Sequence, residues 1–523
     1  MSQIGPPLAL PVATGDTVDC SESARRWTLV AAIIGSGMAF VDGTIVNVAL
    51  PAIQRSMNAS TADAQWVMEA YALLLSALLL VGGVLGDHFG RRRMFALGAA
   101  VFTVASLACA LAPGITALIV ARGVQGLGAA LLVPGSLSLI SSAYPKERRG
   151  AAIGTWSAFS GITAAVGPVI GGFLVEHVSW HWAFLINLPL GIALVALCRW
   201  RVPESRGADA GRIDAMGAVL ATVGLAGVVF ALIEGPVRGW ISPMVVSAAV
   251  VGLAGITAFL LVEQRIASPM LSLALFRDRD FAGANALTFL LYAALGGSLF
   301  FVPLNLIQVQ GYGATGAGAS LLPFVAIMFV LSRWTGQLVD RVGARLPLVI
   351  GPIIAGAGFA LYAIPGVGGS YWTTFFPASC VLGLGMSITI APLTTTVMNA
   401  LDPSLAGTAS GVNNAVSRVA GLLAIAAFGV LLTHAFNAAL SDGLANARFP
   451  TGTVQAILAQ KAKLAGIDLP AGAQAARRIV DEAFVAGFRR VMLLSAGLAW
   501  LSAVVAGFSI RTRGVRPPPS AGL

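Results

Sequence analysis

Fourteen runs of roughly 20 apolar residues dominate this chain, near 28–50, 66–86, 94–112, 115–140, 151–174, 182–200, 214–234, 244–263, 282–305, 314–338, 346–366, 372–394, 405–434 and 484–510. That is the length a helix needs to cross about 30 Å of hydrocarbon. Of 523 residues, 57% are hydrophobic and 10% charged, with mean hydropathy +0.85. A soluble domain carries about 25% charged residues, so the expected class is an all-α polytopic protein with the lipid bilayer as its surroundings. An even number of crossings puts both termini on one side. The links on that side hold Arg25/Arg26, Arg91/Arg92/Arg93, Lys146/Arg148/Arg149, Arg199/Arg201/Arg206/Arg212, Arg265/Arg277/Arg279, Arg341/Arg345 and Arg511/Arg513/Arg516, whereas the short links opposite hold little more than Arg55 and Arg238. Cytoplasmic loops are enriched in Lys and Arg. Both termini are therefore expected in the cytoplasm, and the chain as a multi-pass protein of the bacterial plasma (inner) membrane. The net charge of +10 is spread along these links and marks no nucleic-acid surface.

A charged turn occurs twice between apolar runs. Residues 83–92 read Gly-Val-Leu-Gly-Asp-His-Phe-Gly-Arg-Arg, and residues 336–345 read Gly-Gln-Leu-Val-Asp-Arg-Val-Gly-Ala-Arg. Gly83, Asp87, Gly90 and Arg92 thus recur as Gly336, Asp340, Gly343 and Arg345, with Arg91 beside the first copy. Duplicated halves are how secondary transporters build a site that faces either side of a membrane. The copies follow runs 2 and 10, so six helices and six helices flank an inserted pair. The expected division is a tail at 1–26, a six-helix half at 27–200, a linker with two inserted helices at 201–280, a six-helix half at 281–511, and a tail at 512–523. The first 24 residues hold Pro6, Pro7 and Pro11 and lack a signal-peptide core.

A charge at the bilayer centre costs on the order of 3 kcal/mol on insertion scales, so intramembrane ionisable groups are functional candidates. Three stand out. Asp42 lies well inside run 1; burial favours the neutral form of an acid, which suits it to take up and release a proton or hold a cation. A structural acid bonded to Thr44 or a neighbouring helix is the alternative. Glu69 is either a cavity acid that attracts cations or an interfacial residue reaching water. Arg122 stays ionised and needs polar groups or a hydrated cavity, or else anchors its half. In run 5, Gly167-Pro-Val-Ile-Gly171-Gly172 combines a kink with small residues that permit close helix approach.

Cys20, Cys109, Cys198 and Cys380 have no CxxC spacing, and His88, His177, His181 and His434 do not pair as ligands, so no metal and no cofactor is expected. There is no Walker loop, HExxH or GxSxG. An enzyme is not expected, and an ion gradient rather than ATP is the expected driving force. The outer segment 435–483 carries Arg448, Lys461, Lys463, Arg477 and Arg478. Its stretch Val454–Ala465 reads as a short surface helix, structural or a docking face for a partner such as a periplasmic adaptor protein.

Together these residues resemble the major facilitator superfamily, in particular its fourteen-helix drug:proton antiporter branch of the EmrB/QacA type, over residues 27–510. The loop motif falls on Gly83, Leu85, Asp87, Gly90, Arg91 and Arg92. The run-1 motif falls on Asp42, Thr44, Asn47, Ala49, Leu50 and Pro51, and the run-4 motif on Arg122, Gln125, Gly126 and Gly128. The antiporter motif falls on Gly154, Gly167, Pro168, Gly171 and Gly172. Trp180-His-Trp-Ala-Phe-Leu-Ile-Asn-Leu-Pro also reads like this branch, whereas Thr163 and His88 depart from its usual glycine and arginine. The resemblance implies a major facilitator fold of 6+2+6 helices in two pseudo-symmetric halves. It also implies alternating access, with Asp42 and Glu69 binding protons or substrate, Arg122 in coupling, and the Asp87 turn latching the cytoplasmic side. The expected function is proton-coupled multidrug efflux of lipophilic, perhaps cationic, small-molecule substrates by a monomer. A dedicated exporter of one endogenous metabolite, such as an antibiotic or siderophore, is the alternative. A non-transporting receptor or scaffold stands third, against the duplicated halves.

Overall fold

The computed structural model describes residues 21–206, 214–266, 269–401, 406–447, 449–469 and 474–511. The first helices are α1 (Glu22–Met57), α2 (Thr61–Phe89), α3 (Arg91–Ala110), α4 (Ile115–Ala143) and α5 (Lys146–His177), followed by the broken crossing α6 (Trp182–Leu185) and α7 (Asn187–Arg201). The inserted hairpin is α8 (Ala215–Arg238) and α9 (Pro243–Glu263). The second set comprises α10 (Arg279–Leu304), α11 (Ala314–Ala319) and α12 (Leu322–Val342) as another broken crossing, α13 (Arg345–Tyr362), α14 (Phe375–Asn399), α15 (Ala406–Asn446), the short α16 (Thr451–Ala459) and α17 (Arg477–Ser509). No strand occurs among the described residues. Thirteen helical stretches are long and apolar enough to cross a membrane, by length and composition. The fifth expected run falls on α5, 32 residues long and hence about 48 Å at the α-helical rise. Bulky side chains such as Val104, Leu111, Trp200, Ile241, Trp334 and Phe508 stand exposed on the outside, as a lipid-facing surface requires.

Local chemistry sets the turns. Ser60 and Asp63 form a reciprocal capping box at the start of α2, which satisfies two backbone donors that would otherwise be orphaned. Gly90, between α2 and α3, has φ +110°, and a side chain there would run into the Glu204 carboxylate. Gly343, its counterpart in the second copy, also has positive φ. Only glycine adopts such a conformation without steric cost, which is why both copies keep it.

Within the first set, α4 packs on α2 and α3, and α5 on α1. Within the second, α14 packs on α12 and α13, and α15 and α17 on α10. The two sets meet along two seams, α2 against α15 and α5 against α11 and α12. In the second seam, side chains on Gly172 and Gly318 would overlap the backbone carbonyls of Ala314 and Pro168, so the helices touch backbone to backbone. The inserted α8 lies on both α2 and α15, and α9 packs on α8.

Every described hydrogen bond between the two sets lies toward one end, away from the chain termini. Asn47 donates to the Leu299 carbonyl at 2.9 Å, Gln65 to that of Ile425 at 3.0 Å, Gln308 to the Gln54 side chain at 3.0 Å, and the Thr315 amide to Glu176 at 2.9 Å. We call this the closed end and the other the tail end.

The expected outer segment 435–483 is largely helical. Its first 12 residues continue α15 and its last seven begin α17. The stretch 454–465 is a surface helix only in its first part, to Ala459. α16 is followed by a 3-10 turn, Lys461–Gly466, and Ile457, Leu464, Ala465 and Ile467 are buried in the main apolar cluster. This turn touches α1, α2, α15 and α17, and so caps the closed end across both sets. Leu464 adopts φ 52° and ψ −126°, a strained backbone for a bulky residue, held by its burial. Residues 1–20 and 512–523 of the expected tails, with Cys20, Arg212 and Arg448, lie outside the described residues.

The glycine-lined seam makes a direct expectation. Gly318→Val should overpack α5 against α11 and cost about 1–3 kcal/mol, seen as a lowered melting temperature of the purified protein in thermal fluorimetry. A melting temperature equal to wild type would show that the seam does not depend on backbone contact.

Candidate functional site

Asp42 and Arg122, read separately from the sequence, form one unit. α1 and α4 bring both side chains to 0% exposure, and Arg122 Nη1 donates to Asp42 Oδ2 at 2.5 Å. The other carboxylate oxygen accepts from Gln125 Nε2 at 2.8 Å and Asn187 Nδ2 at 3.2 Å. Arg122 also donates to Gln125 Oε1 at 2.7 Å and, through Nε, to the Val67 carbonyl at 2.9 Å. Its guanidinium lies 4.4 Å above the Tyr71 ring and 5.9 Å from that of Phe184. Ser106 completes the network, accepting from Asn187 at 3.1 Å and Gln125 at 3.3 Å while donating to the Phe184 carbonyl at 2.9 Å. Five helices, α1, α2, α3, α4 and α7, thus meet at one ion pair.

This geometry corrects the simpler reading of Asp42. Burial alone would favour its neutral form, but an arginine and two amide donors face it, an arrangement suited to a carboxylate. Thr44 is not its partner: the Thr44 hydroxyl donates to the carbonyls of Phe40 and Val41. Asn187 becomes available because the sixth crossing breaks between α6 and α7 at that residue. Nη2 of Arg122 has no bonded partner.

Glu69 fits neither of its two expected settings. It is 0% exposed, reaching neither water nor an open cavity, and both carboxyl oxygens lack a hydrogen-bond partner. It lies one turn from Gln65 on the α2 face that meets α15. Trp66, on the adjoining face, donates to Glu234 of α8 at 3.0 Å, and Glu234 also accepts from Arg238 at 2.6 Å.

The remaining motif residues divide by role in packing. Side chains on Gly167 and Gly171 would strike Thr44 and Ile45, so these glycines seat α5 on α1, while Gly172 serves the seam with α11. Gly154 faces open space and takes no part in this packing. Pro168 and Pro51 lie inside unbroken helices. At the tail end Asp87 accepts from Arg91 at 2.7 Å within its own turn, and Arg92 and Arg93 lie 3.4 and 3.6 Å from Glu204, beyond α7. The turn is thus tied to its own half. The Asp340 side chain lies outside the described residues; Arg345 is exposed.

Two participants escaped the sequence reading. Ser106 carries no signal, being a small hydroxyl in an apolar run. Arg418 of α15 does: it sits in Asn-Asn-Ala-Val-Ser-Arg-Val-Ala-Gly inside the run 405–434, and the cost of an intramembrane charge applies to it as to Arg122. No group of three or more His, Cys, Asp or Glu able to hold a metal occurs among the described residues.

The sequence has clear relatives. Residues 32–425 match the model of the Major Facilitator Superfamily. The chain is 36% identical over 421 residues to the multidrug resistance protein Stp of Mycobacterium tuberculosis (strain CDC 1551 / Oshkosh), covering 80% of this chain and 78% of that one. It is 34% identical over 502 residues to the tetracenomycin C resistance and export protein of Streptomyces glaucescens, covering 93% and 92%. Among solved structures, a bacterial homologue of the human lysosomal transporter Spinster, inward-facing and unoccupied, superposes with TM-score 0.66 at 15% identity, over 94% of this chain and 98% of that one, a likeness of fold. The fold, the repeated turn and these relatives agree: the chain is a multi-pass membrane transporter that belongs to the Major Facilitator Superfamily.

Proposed function

We propose that the protein is a drug:proton antiporter of the fourteen-helix branch, exporting lipophilic compounds from the cytoplasm by alternating access. The observation that carries this reading is the sealed Asp42–Arg122 pair, an acid and a base locked together inside one half. A proton reaching Asp42 removes its charge and frees Arg122 to reorganise, which couples protonation to the packing of α1, α3, α4 and α7. Glu69, buried at the α2–α15 seam without a partner, is the second proton site, reached when that seam opens. The names of the relatives, a multidrug resistance protein and a resistance and export protein, support drug export. The second name also favours a narrower reading in which one endogenous antibiotic is the cargo; a substrate screen separates the two.

In this reading the tail end is cytoplasmic, and the capping turn and the cross-half bonds lie at the opposite, outer end. The Asp87 turn latches the cytoplasmic side. An anion at a helix N-terminus gains typically 0.3–1 kcal/mol, enough to shift a two-state equilibrium several-fold.

Asp42→Asn should abolish gradient-driven export from loaded vesicles, and pumping at the wild-type rate would disprove the assignment. The variant should also lose stability, since breaking a buried pair strands a charge at a cost of about 3–5 kcal/mol. Asp42→Asn combined with Arg122→Gln should regain stability without regaining export, which separates coupling from folding.

Asp87→Asn should favour the inward-open state and slow turnover several-fold, measured by labelling of single cysteines on the cytoplasmic side. Equal labelling in wild type and variant would count against the latch. Glu234→Gln should leave export within about twofold of wild type, because the amide oxygen still accepts from Trp66 and α8 lies outside both halves. A loss as complete as that of Asp42→Asn would place α8 in the mechanism.

A further inference from the structure

The facing surfaces of α2 and α15 carry one acid, Glu69, and one base, Arg418, with no described bond between them. Gly411, Arg418 and Ile425 recur every seven residues, two helical turns, and so share one face of α15. Gly411 lies opposite Leu80 of α2, and the Ile425 carbonyl accepts from Gln65 of α2, so Arg418 between them also faces α2. Arg418 lies about 10 Å nearer the tail end than Ile425, past the last described hydrogen bond that crosses this seam.

Arg122 and Arg418 differ in one respect. Arg122 is sealed and bonded to Asp42, Gln125 and a carbonyl. Arg418 is partly exposed and, among the described residues, has neither a hydrogen bond nor an ion pair. On the opposing helix the Tyr71 ring lies under the Arg122 guanidinium, and Glu69 is buried without a hydrogen-bond partner. A guanidinium cannot shed its charge, and leaving it unpaired within a bilayer is costly. The fork of N–H donors matches a planar oxyanion in two-point fashion.

We propose that Arg418 is the anion anchor of the transport pathway, and that the exported compounds are lipophiles bearing a carboxylate or enolate rather than lipophilic cations. This rests on the export reading above and replaces the cationic substrate expected from the sequence. Asp42 and Arg122 cancel, so the fixed charge left for a ligand between the halves is positive.

The test is equilibrium binding of two xanthene dyes to the purified full chain in an uncharged detergent, which removes lipid anions as competitors. Fluorescein supplies the carboxylate and rhodamine 6G the cation on a similar ring. Wild type should bind fluorescein more tightly, and free benzoate should compete with it where benzylamine does not. Arg418→Gln should weaken fluorescein binding about tenfold or more, in line with loss of a charge-assisted contact, while leaving rhodamine 6G no weaker. Arg418→Lys should keep the preference for the anion at reduced affinity. Should Arg418→Gln fail to fold, the benzoate competition and the Lys variant decide. Tighter binding of rhodamine 6G by wild type, absence of benzoate competition, or fluorescein binding unchanged in Arg418→Gln overturns the proposal. Dye efflux from vesicles under a proton gradient is read separately: Arg418-dependent binding with no gradient-driven efflux defeats the export reading and leaves the anion preference standing.

Discussion

Inside a bilayer no water is at hand to satisfy a polar group, so each one must be answered by the protein. The organisation of the first half follows from how one such group, Arg122, is answered. Its charge draws Asp42 from α1 and the Val67 carbonyl from α2, and through Gln125 and Asp42 it gathers Ser106 of α3 and Asn187 of α7. Apolar packing alone would leave the rotation of these helices loosely specified. A single buried ion pair with a fixed set of donors gives each helix one register. It also makes that register depend on one charge.

The second half contains no equivalent pair among the described residues. It is held by small residues and apolar contact, as where Gly351 and Gly385 bring α13 and α14 together backbone to backbone. Its polar contacts are neutral links between helices, such as Asn413 of α15 donating to Asn285 of α10 at 3.1 Å and to Thr288 at 2.7 Å. The two halves therefore share a fold but divide the chemistry: one holds a buried ion pair, the other presents Arg418 on the α15 face toward α2. Between them the α5–α11 seam relies on glycines, and close contact without interlocking side chains is the kind that tolerates rocking.

Much of this was legible in the sequence because lipid makes sequence speak plainly. Twenty-residue apolar runs and the recurrence of Asp87 as Asp340 each have one physical reading, and the cost of a charge in such runs marks Asp42 and Arg122 as candidates while leaving two readings open for each. What stayed hidden was pairing. Nothing in the spacing of residues 42, 122, 125 and 187 says that they converge, since helices far apart in the chain are rotated onto one another only by the packed bundle. Glu69 was misread for the same reason: its apparent place near a helix end said interface, but α15 and the capping turn close over that end. The segment 454–465 misled because its Gln and Lys residues suggested water, whereas Ile457, Leu464 and Ile467 are the residues that decide its depth.

The position of α8 makes the molecule lopsided. This helix lies over the α2–α15 seam, with α9 outside it, while the α5–α11 seam has no such cover from the inserted hairpin. One side of the bundle is thus a double wall and the other a single one. Lateral pressure from the acyl chains bears directly on the glycine seam and is buffered at the other.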